Sequence, residues 1–501
     1  MIELLVLLVV GAPAAAGVAA WFADARRATW LAAAGLGMSI VAGIVLAVLV
    51  FASGPIRAFD GLVAIDAFGA YMLVLVLVVA GIALAGSPAH IAHEMHTDGL
   101  RPHDAGRYYA LLVWFAAGLA AVPLLDNLGL VWVGIEATTI VSALLVGFSR
   151  TPQAIEAAWK YLILGSIGIG FALLGTLLVY ASSVGVLGEG VLGETHDALA
   201  WTRLVSIAPA LDPAFVRLAF IFALAGYGTK AGLAPFHTWL PDAHSQAPSP
   251  ISAMLSGAAL AVSLYALARF HLIATGTLGP AFSSTLLVVF GLFSLAVALP
   301  FIVAQSDLKR LLAYSSIEHL GLAALALGFG GHLALLGFTL HLASHGLAKS
   351  TAFLSAGQLV AERGTRRIGR LGGSLARSPA DGRALVVAAL VLAGLPPSGI
   401  FVAELAILFG GVATGWGLAA GLAALILALA VAGLLFHVVR IAVGPAGRRV
   451  ESGPASPRPS VAHAFLLTVP LTVVVVAGLW TPSPLAAAFD QVVRVLGGGG
   501  G

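Results

Sequence analysis

The chain contains no cysteine among its 501 residues, so neither an iron–sulfur cluster nor a thiolate metal site can be built from it. Redox chemistry connected with it must be carried by another polypeptide. Charge is also scarce: Asp, Glu, Lys and Arg make up 9% of the residues against 60% hydrophobic ones, and mean hydropathy is +1.03. A soluble domain carries about 25% charged residues. This composition excludes one and identifies an integral membrane protein. The apolar runs lack the polar/apolar alternation of a barrel strand and reach about 20 residues, enough for a helix to cross a bilayer.

Fourteen such runs can be read, approximately 2–22, 28–51, 62–85, 108–126, 128–148, 159–184, 214–234, 250–272, 280–303, 305–328, 333–361, 383–410, 416–443 and 461–480. The first has no basic start and no small-residue cleavage site, so it is expected to be retained as a span. Of the 25 Lys and Arg, eighteen fall in loops on one side, while Arg57, Arg203, Arg217, Arg269 and Arg494 fall on the other. The excess of basic residues marks the cytoplasmic side and predicts that both termini face away from it. It also accounts for the pI near 9.3 and points to anionic lipid rather than nucleic acid as the counterion.

Two cations, Lys230 and Lys349, belong to no loop, and Glu136, Glu318 and Glu404 also fall within apolar runs. A charge at the bilayer centre costs about 2.5–3.5 kcal/mol on insertion scales, so each is a candidate functional residue. A buried pair that merely fixes helix packing is the simpler alternative. Against it, "HLASHGLAKSTAF" puts His341, His345 and Lys349 at i, i+4 and i+8 on one helix face, a stripe about 12 Å long at 1.5 Å per residue. His319 directly follows Glu318. Buried acids and amines alter one another's proton affinity, so a line of such groups can pass protons.

Two runs are interrupted. "TKAGLAPFHTWLP" breaks the seventh at Pro235, and "LAGLPPSGIFVAE" breaks the twelfth at Pro396 and Pro397. Broken helices at membrane depth are tolerated beside protein or a water-filled cavity, and matching breaks in two halves mark inverted-repeat transporters. Spans 4–8 then correspond to spans 9–13, with Glu136 matching Glu318 and Lys230 matching Glu404. The expected fold is an all-α integral membrane protein of about 14 transmembrane helices with two inverted five-helix repeats. Its parts are residues 1–107, a three-helix segment, the repeats 108–272 and 280–443, and a last helix and tail, 461–501.

Taken together, "WVGIEATTI", "GTKAGLAPFHTWLPDAHSQAPSPISAML", "DLKRLLAYSSIEHLG", "HGLAKSTAFLSAG" and "GLPPSGIFVAE" resemble the antiporter-like membrane subunits of respiratory complex I, Mrp cation/proton antiporters and membrane-bound hydrogenases. "WKYLILGSIGIGFALLG" and the Glu-His of "YSSIEHLG" are most similar to the F-type subunit of hydrogenase-4 and formate hydrogenlyase complexes. The resemblance implies a proton-translocating subunit in a bacterial or archaeal inner membrane, with no bond chemistry and no cofactor or metal of its own. The partners it implies are other membrane subunits and a peripheral redox arm of [NiFe]-hydrogenase-like type. Glu136 would pair with Lys230 and modulate it, Lys349 with His341 and His345 would form the central relay, and Glu404 would end the second half-channel. The competing readings are an Mrp-like Na⁺/H⁺ antiporter subunit and a coupling subunit of a non-hydrogenase complex such as a CO₂-hydrating module.

The sequence departs from the family pattern at Ala261, where a lysine or histidine carrier is common. Ser256, Ser263, Tyr265 or water would have to make the connection. No long amphipathic helix is expected in 483–501, so the lateral arm of the distal complex I subunit is not anticipated. His237, Asp242 and His244 follow the first break as candidates for proton entry, with packing of the connector as the alternative. His90, His93, His96 and His103, near Glu94 and Asp98, are expected in a solvated loop, though a spacing of three also suits metal ligation on a helix. The basic connector 362–373 is expected to meet lipid or a partner subunit.

Overall fold

The computed structural model describes residues 1–97, 101–188, 198–445 and 461–498. In chain order the helices are α1 (Ile2–Trp21), α2 (Ala25–Ser53), α3 (Ala67–Thr97), α4 (Pro102–Ala121), α5 (Leu128–Val146), α6 (Pro152–Leu187), α7 (Trp201–Ile207), α8 (Pro213–Ala231), α9 (Trp239–Gln246), α10 (Ser249–Met254), α11 (Leu260–Leu278), α12 (Pro280–Ala304), α13 (Leu308–Phe329), α14 (Gly331–Arg363), α15 (Ser374–Arg377), α16 (Pro379–Leu392), α17 (Gly399–Ala413), α18 (Gly417–Val443), α19 (Val461–Leu479) and α20 (Ser483–Leu496). A small antiparallel hairpin, β1 (Ile56–Ala58) and β2 (Val63–Ile65), pairs Ile56 with Ile65 between α2 and α3.

Twelve helices among the described residues are long and apolar enough to cross a membrane. Two of the expected spans fall outside that group for stated reasons. The helix α14 is long but carries the polar stripe, and the twelfth run is divided into α16 and α17. Several helices begin on polar caps that satisfy otherwise free amide groups. Asp24 accepts from Arg27 N, Asn127 from Gly129 and Leu130 N, Asp212 from Ala214 and Phe215 N, and Asp307 from Arg310 N.

Close packing is achieved with small residues, as membrane helices require. A methyl group at Gly168 of α6 would lie 2.6 Å from Thr229 of α8, and one at Gly226 of α8 would lie 2.5 Å from the backbone of Ala172. This contact sets the helix that carries Lys230 directly against the one that carries Tyr161.

Several expectations are corrected. The run 62–85 is a strand followed by a helix that continues to Thr97, so His90 and His93 lie on α3 and not in a loop. The i,i+4 pair His90 and Glu94, at 3.0 Å, carries the helix through a stretch too polar to read as a span. His96 lies on the same helix, and Asp98 falls outside the described residues. The expectation of no long amphipathic helix in 483–501 is not among those corrected: residues 483–496 form only the short amphipathic α20, which buries Phe489, Val492, Val493 and Leu496. The basic connector begins inside α14, and its middle is tied to the start of α13 through Leu308 N to Arg366 O and Ile368 N to Ser306 O.

Three cations assigned to loops, Arg269, Lys309 and Arg363, are buried. Arg269 is fully buried in α11 and its guanidinium donates to both carboxylate oxygens of Asp66, at 2.8 and 2.7 Å. Lys309 is buried at the start of α13 with Nζ 2.5 Å from the carbonyl of Ala247. Lys309 and Arg363 sit at helix ends, where sequence position alone does not separate a snorkelling side chain from a buried one, whereas Arg269 lies midway along α11.

Candidate ion-relay site

The first break follows from local chemistry. Gly232 adopts the left-handed conformation that ends α8 (φ 77°), and Pro235 prevents its resumption. The chain folds back so that the indole of Trp239, at the start of α9, donates to the freed carbonyl of Thr229 at 2.8 Å. The amide of Ala234 donates to Ser294 Oγ at 2.9 Å. Freed backbone groups are thus satisfied by protein, and Lys230 is left buried one turn before the break.

Lys230 Nζ donates to the hydroxyl of Tyr161 at 2.6 Å and lies 4.5 Å from the centre of its ring. Tyr161 is 2.7 Å from Ser142 Oγ, which itself donates to the carbonyl of Thr138 at 2.6 Å. The hydroxyl of Tyr161 therefore accepts from the lysine and donates to the serine. Glu136, on the same helix as Ser142, accepts from Ser166 Oγ at 2.7 Å, while its Oε2 is buried without a partner. No ion pair joins Glu136 to Lys230 among the described residues; a tyrosine and a serine are interposed, and both escaped the sequence reading.

The second cluster is formed by two antiparallel neighbours. Leu312, Ser315, Ser316 and His319 recur at i, i+3, i+4 and i+7 on α13, opposite the stripe His341, His345 and Lys349 on α14. Lys349 Nζ donates to the carbonyl of Leu312 at 2.7 Å and to Ser315 Oγ. The rings of His319 and His341 have centres 5.1 Å apart, as do those of His319 and His345, with His341 and His345 at 6.2 Å. Five ring nitrogens of these three histidines are buried with no protein partner, the kind of orphan group that calls for a functional account. Glu318 is buried beside them, and no hydrogen bond joins it to Lys349 among the described residues.

At the second break, Gly394 has φ 61° and ends the turn after α16. A methyl group there would lie 2.1 Å from Glu404 Oε2, so the carboxylate of α17 is folded over the break itself. Ser398 caps α17 by accepting from Phe401 N at 3.2 Å. Ser344 of α14 packs against Gly399, which brings the second break against the helix of the histidine stripe.

Of the groups named in place of a carrier at Ala261, Ser256 makes a contact toward the second cluster. Span 8 contains a π-helical turn, Leu255–Ala259, between α10 and α11, a distortion that favours functional sites. From that turn Ser256 Oγ meets Ser316 Oγ at 2.8 Å, next to the Ser315 that holds Lys349. Ser263 is spent on its own helix, and Tyr265 accepts from Arg269 at 3.1 Å.

Of the candidate entry residues, Asp242 lies 3.2 Å from Lys160 and 2.5 Å from Arg310. His244 is fully buried, stacked on Phe353 with ring centres 5.1 Å apart, and neither ring nitrogen has a protein partner. His237 is half-buried in the break. His103 is set apart from His90 and His93 and lies 3.6 Å from Asp104. Among the described residues no group of three or more His, Asp or Glu is arranged to hold a metal ion.

A bundle of long apolar helices with two broken members and a buried line of lysine, histidine and glutamate defines the class of antiporter-like, multi-pass membrane subunits. Residues 126–430 match the family described as NADH:quinone oxidoreductase/Mrp antiporter, TM, and the chain belongs to that family. It is 41% identical over 358 residues to a "Hydrogenase-4 component F homolog" of Methylacidiphilum infernorum, covering 72% of this chain and 74% of the relative. The structure matches a chain of respiratory complex I from Thermus thermophilus with a TM-score of 0.74, 25% identity, and coverage of 95% of this chain and 97% of that one. It shares the fold of a chain of an archaeal membrane-bound sulfane sulfur reductase with a TM-score of 0.84 at 22% identity, covering 99% and 97%.

Proposed function

We propose that this chain is a proton-translocating subunit of a multisubunit, redox-driven membrane complex of hydrogenase-4 or complex I type. It works in a prokaryotic inner membrane beside other membrane subunits and a peripheral redox arm, with both termini on the non-cytoplasmic side. The observation that carries the reading is the pair of buried lysine clusters, one beside the first break and one on the helix that packs against the second, each held by neutral hydroxyl or carbonyl groups rather than by a salt bridge. An amine held in this way can give up and regain a proton without first breaking a buried ion pair, whose disruption costs about 3–5 kcal/mol.

The route runs from Glu136 and Lys230 through the Tyr161–Ser142 contact, across Ser256–Ser316 to Lys349, and along His345, His319 and His341 to Glu404 at the second break. His237, Asp242 and His244 stand where protons would enter from the basic face. A redox event in a neighbouring subunit changes the field at one end and shifts the proton between Lys230 and its neighbours. The chain itself breaks no bond other than those to protons.

The test is substrate-driven acidification of sealed vesicles containing the assembled complex, with and without sodium. Proton uptake that is independent of sodium supports the proposal. Strict sodium dependence replaces it with the antiporter reading.

A further inference from the structure

A cavity of about 1050 Å³ opens on the face opposite the basic one, at the upper end of the ~300–1,000 Å³ of small-molecule sites. Its walls come from distant parts of the chain: the β1–β2 hairpin, the start of α3, α7, the ends of α11 and α13, and α20. Val50, Trp201, Leu272, Phe329 and Leu335 make it largely apolar.

Its charge is unusual for that face. Of the five arginines that the sequence assigns away from the basic side, three, Arg57, Arg269 and Arg494, line this one cavity. Asp66 is the one acid of the lining, and it is already occupied by Arg269 and by the amide of Gly69 at 2.8 Å. Arg57 and Arg494 therefore remain uncompensated. Both are exposed, and neither has a hydrogen bond or ion pair among the described residues. Two further donors of the lining residues, Arg269 Nε and His271 Nδ1, are buried without partners.

We propose that this cavity holds the phosphodiester headgroup of an anionic phospholipid, with Arg57 and Arg494 on the phosphate and the apolar walls on the glycerol and upper acyl chains. Guanidinium forks match phosphate oxygens in pairs, which gives the two unpaired arginines a shared ligand. A free inorganic ion would gain nothing from the apolar walls. Bound lipid ties α20 to the β hairpin and the start of α3, fastening the end of the chain over the bundle. This inference stands apart from the proton relay, since none of the relay residues lines the cavity.

The test uses the purified complex containing the full chain, delipidated in detergent and titrated with dihexanoyl-phosphatidylglycerol, dihexanoyl-phosphatidylcholine or inorganic phosphate, with native mass spectrometry reading adducts on this subunit. Phosphatidylglycerol should bind about tenfold more tightly than phosphatidylcholine, and Arg57→Gln with Arg494→Gln should lose about tenfold, the scale of one charge-assisted fork. Each single variant should give part of the loss, so the test survives if the double variant fails to assemble. Arg217→Gln should bind as wild type, because Arg217 lies outside the cavity over the ring of Phe282. Equal binding of the two lipids, unchanged binding in the variants, or displacement of the lipid by inorganic phosphate at equal concentration would overturn the proposal.

Discussion

Lys230 donates to the hydroxyl of Tyr161 at 2.6 Å, and Tyr161 passes the contact on to Ser142. The carboxylate of Glu136 stands off, bonded to Ser166. The lysine is thus held by a group that accepts and donates at once, and in the proposed relay Glu136 would act on it through the field rather than through contact.

Tyr161→Phe is therefore the informative substitution at the first break. It removes the acceptor but keeps the ring that packs 4.6 Å from Trp239. A hydrogen bond to a charged group is worth about 1.5–3 kcal/mol, so proton transport should fall about tenfold or more while the chain still inserts. Wild-type rates in membrane vesicles would remove Tyr161 from the relay.

Ser256→Ala and Ser316→Ala test the crossing between the two halves. If the 2.8 Å contact is part of the route, either variant should slow transport to a similar degree, and the double variant should be no slower than the worse single one. Additive losses would indicate two separate packing defects.

Gly394→Ala places a methyl group 2.1 Å from Glu404 Oε2 at a left-handed residue. Strain of about 1–3 kcal/mol should appear as a lower unfolding temperature, together with a loss of transport as the carboxylate is displaced. Gly421→Ala, where nothing lies within 4 Å, is the neutral control. Normal transport in Gly394→Ala would show that Glu404 need not sit over the break.

Asp66→Asn leaves Arg269 buried with its charge unmatched and should cost about 3–5 kcal/mol, read as a fall in the thermal unfolding midpoint. Asp66→Leu combined with Arg269→Leu should recover much of that loss. A double variant no more stable than Asp66→Asn would mean that the pair contributes more than its own neutralisation.

Much of this was legible in the sequence because the membrane penalises charge and irregular backbone so heavily. Lys230, Lys349 and the glutamates stand out in apolar runs, and Pro235, Pro396 and Pro397 locate the breaks. Tyr161, Ser142 and Trp239 do not stand out. A hydroxyl or indole costs little to bury once bonded, and their partners lie on other helices. The serines facing Lys349 carried a readable signal, the i, i+3, i+4, i+7 spacing from Leu312 to His319. The pairing of Asp66 with Arg269 was not legible, because only tertiary packing brings the start of α3 against α11. The helical extension through His90 and His93 was hidden by its own polarity.

The central claim is that Lys349 and Lys230 carry the translocated proton. The most direct measurement is substrate-driven acidification in vesicles containing the complex with Lys349→Ala or Lys230→Ala, with assembly checked by recovery of the intact complex. The account predicts assembled complexes whose redox reaction no longer moves protons through this subunit. Wild-type proton yields in both variants would contradict it.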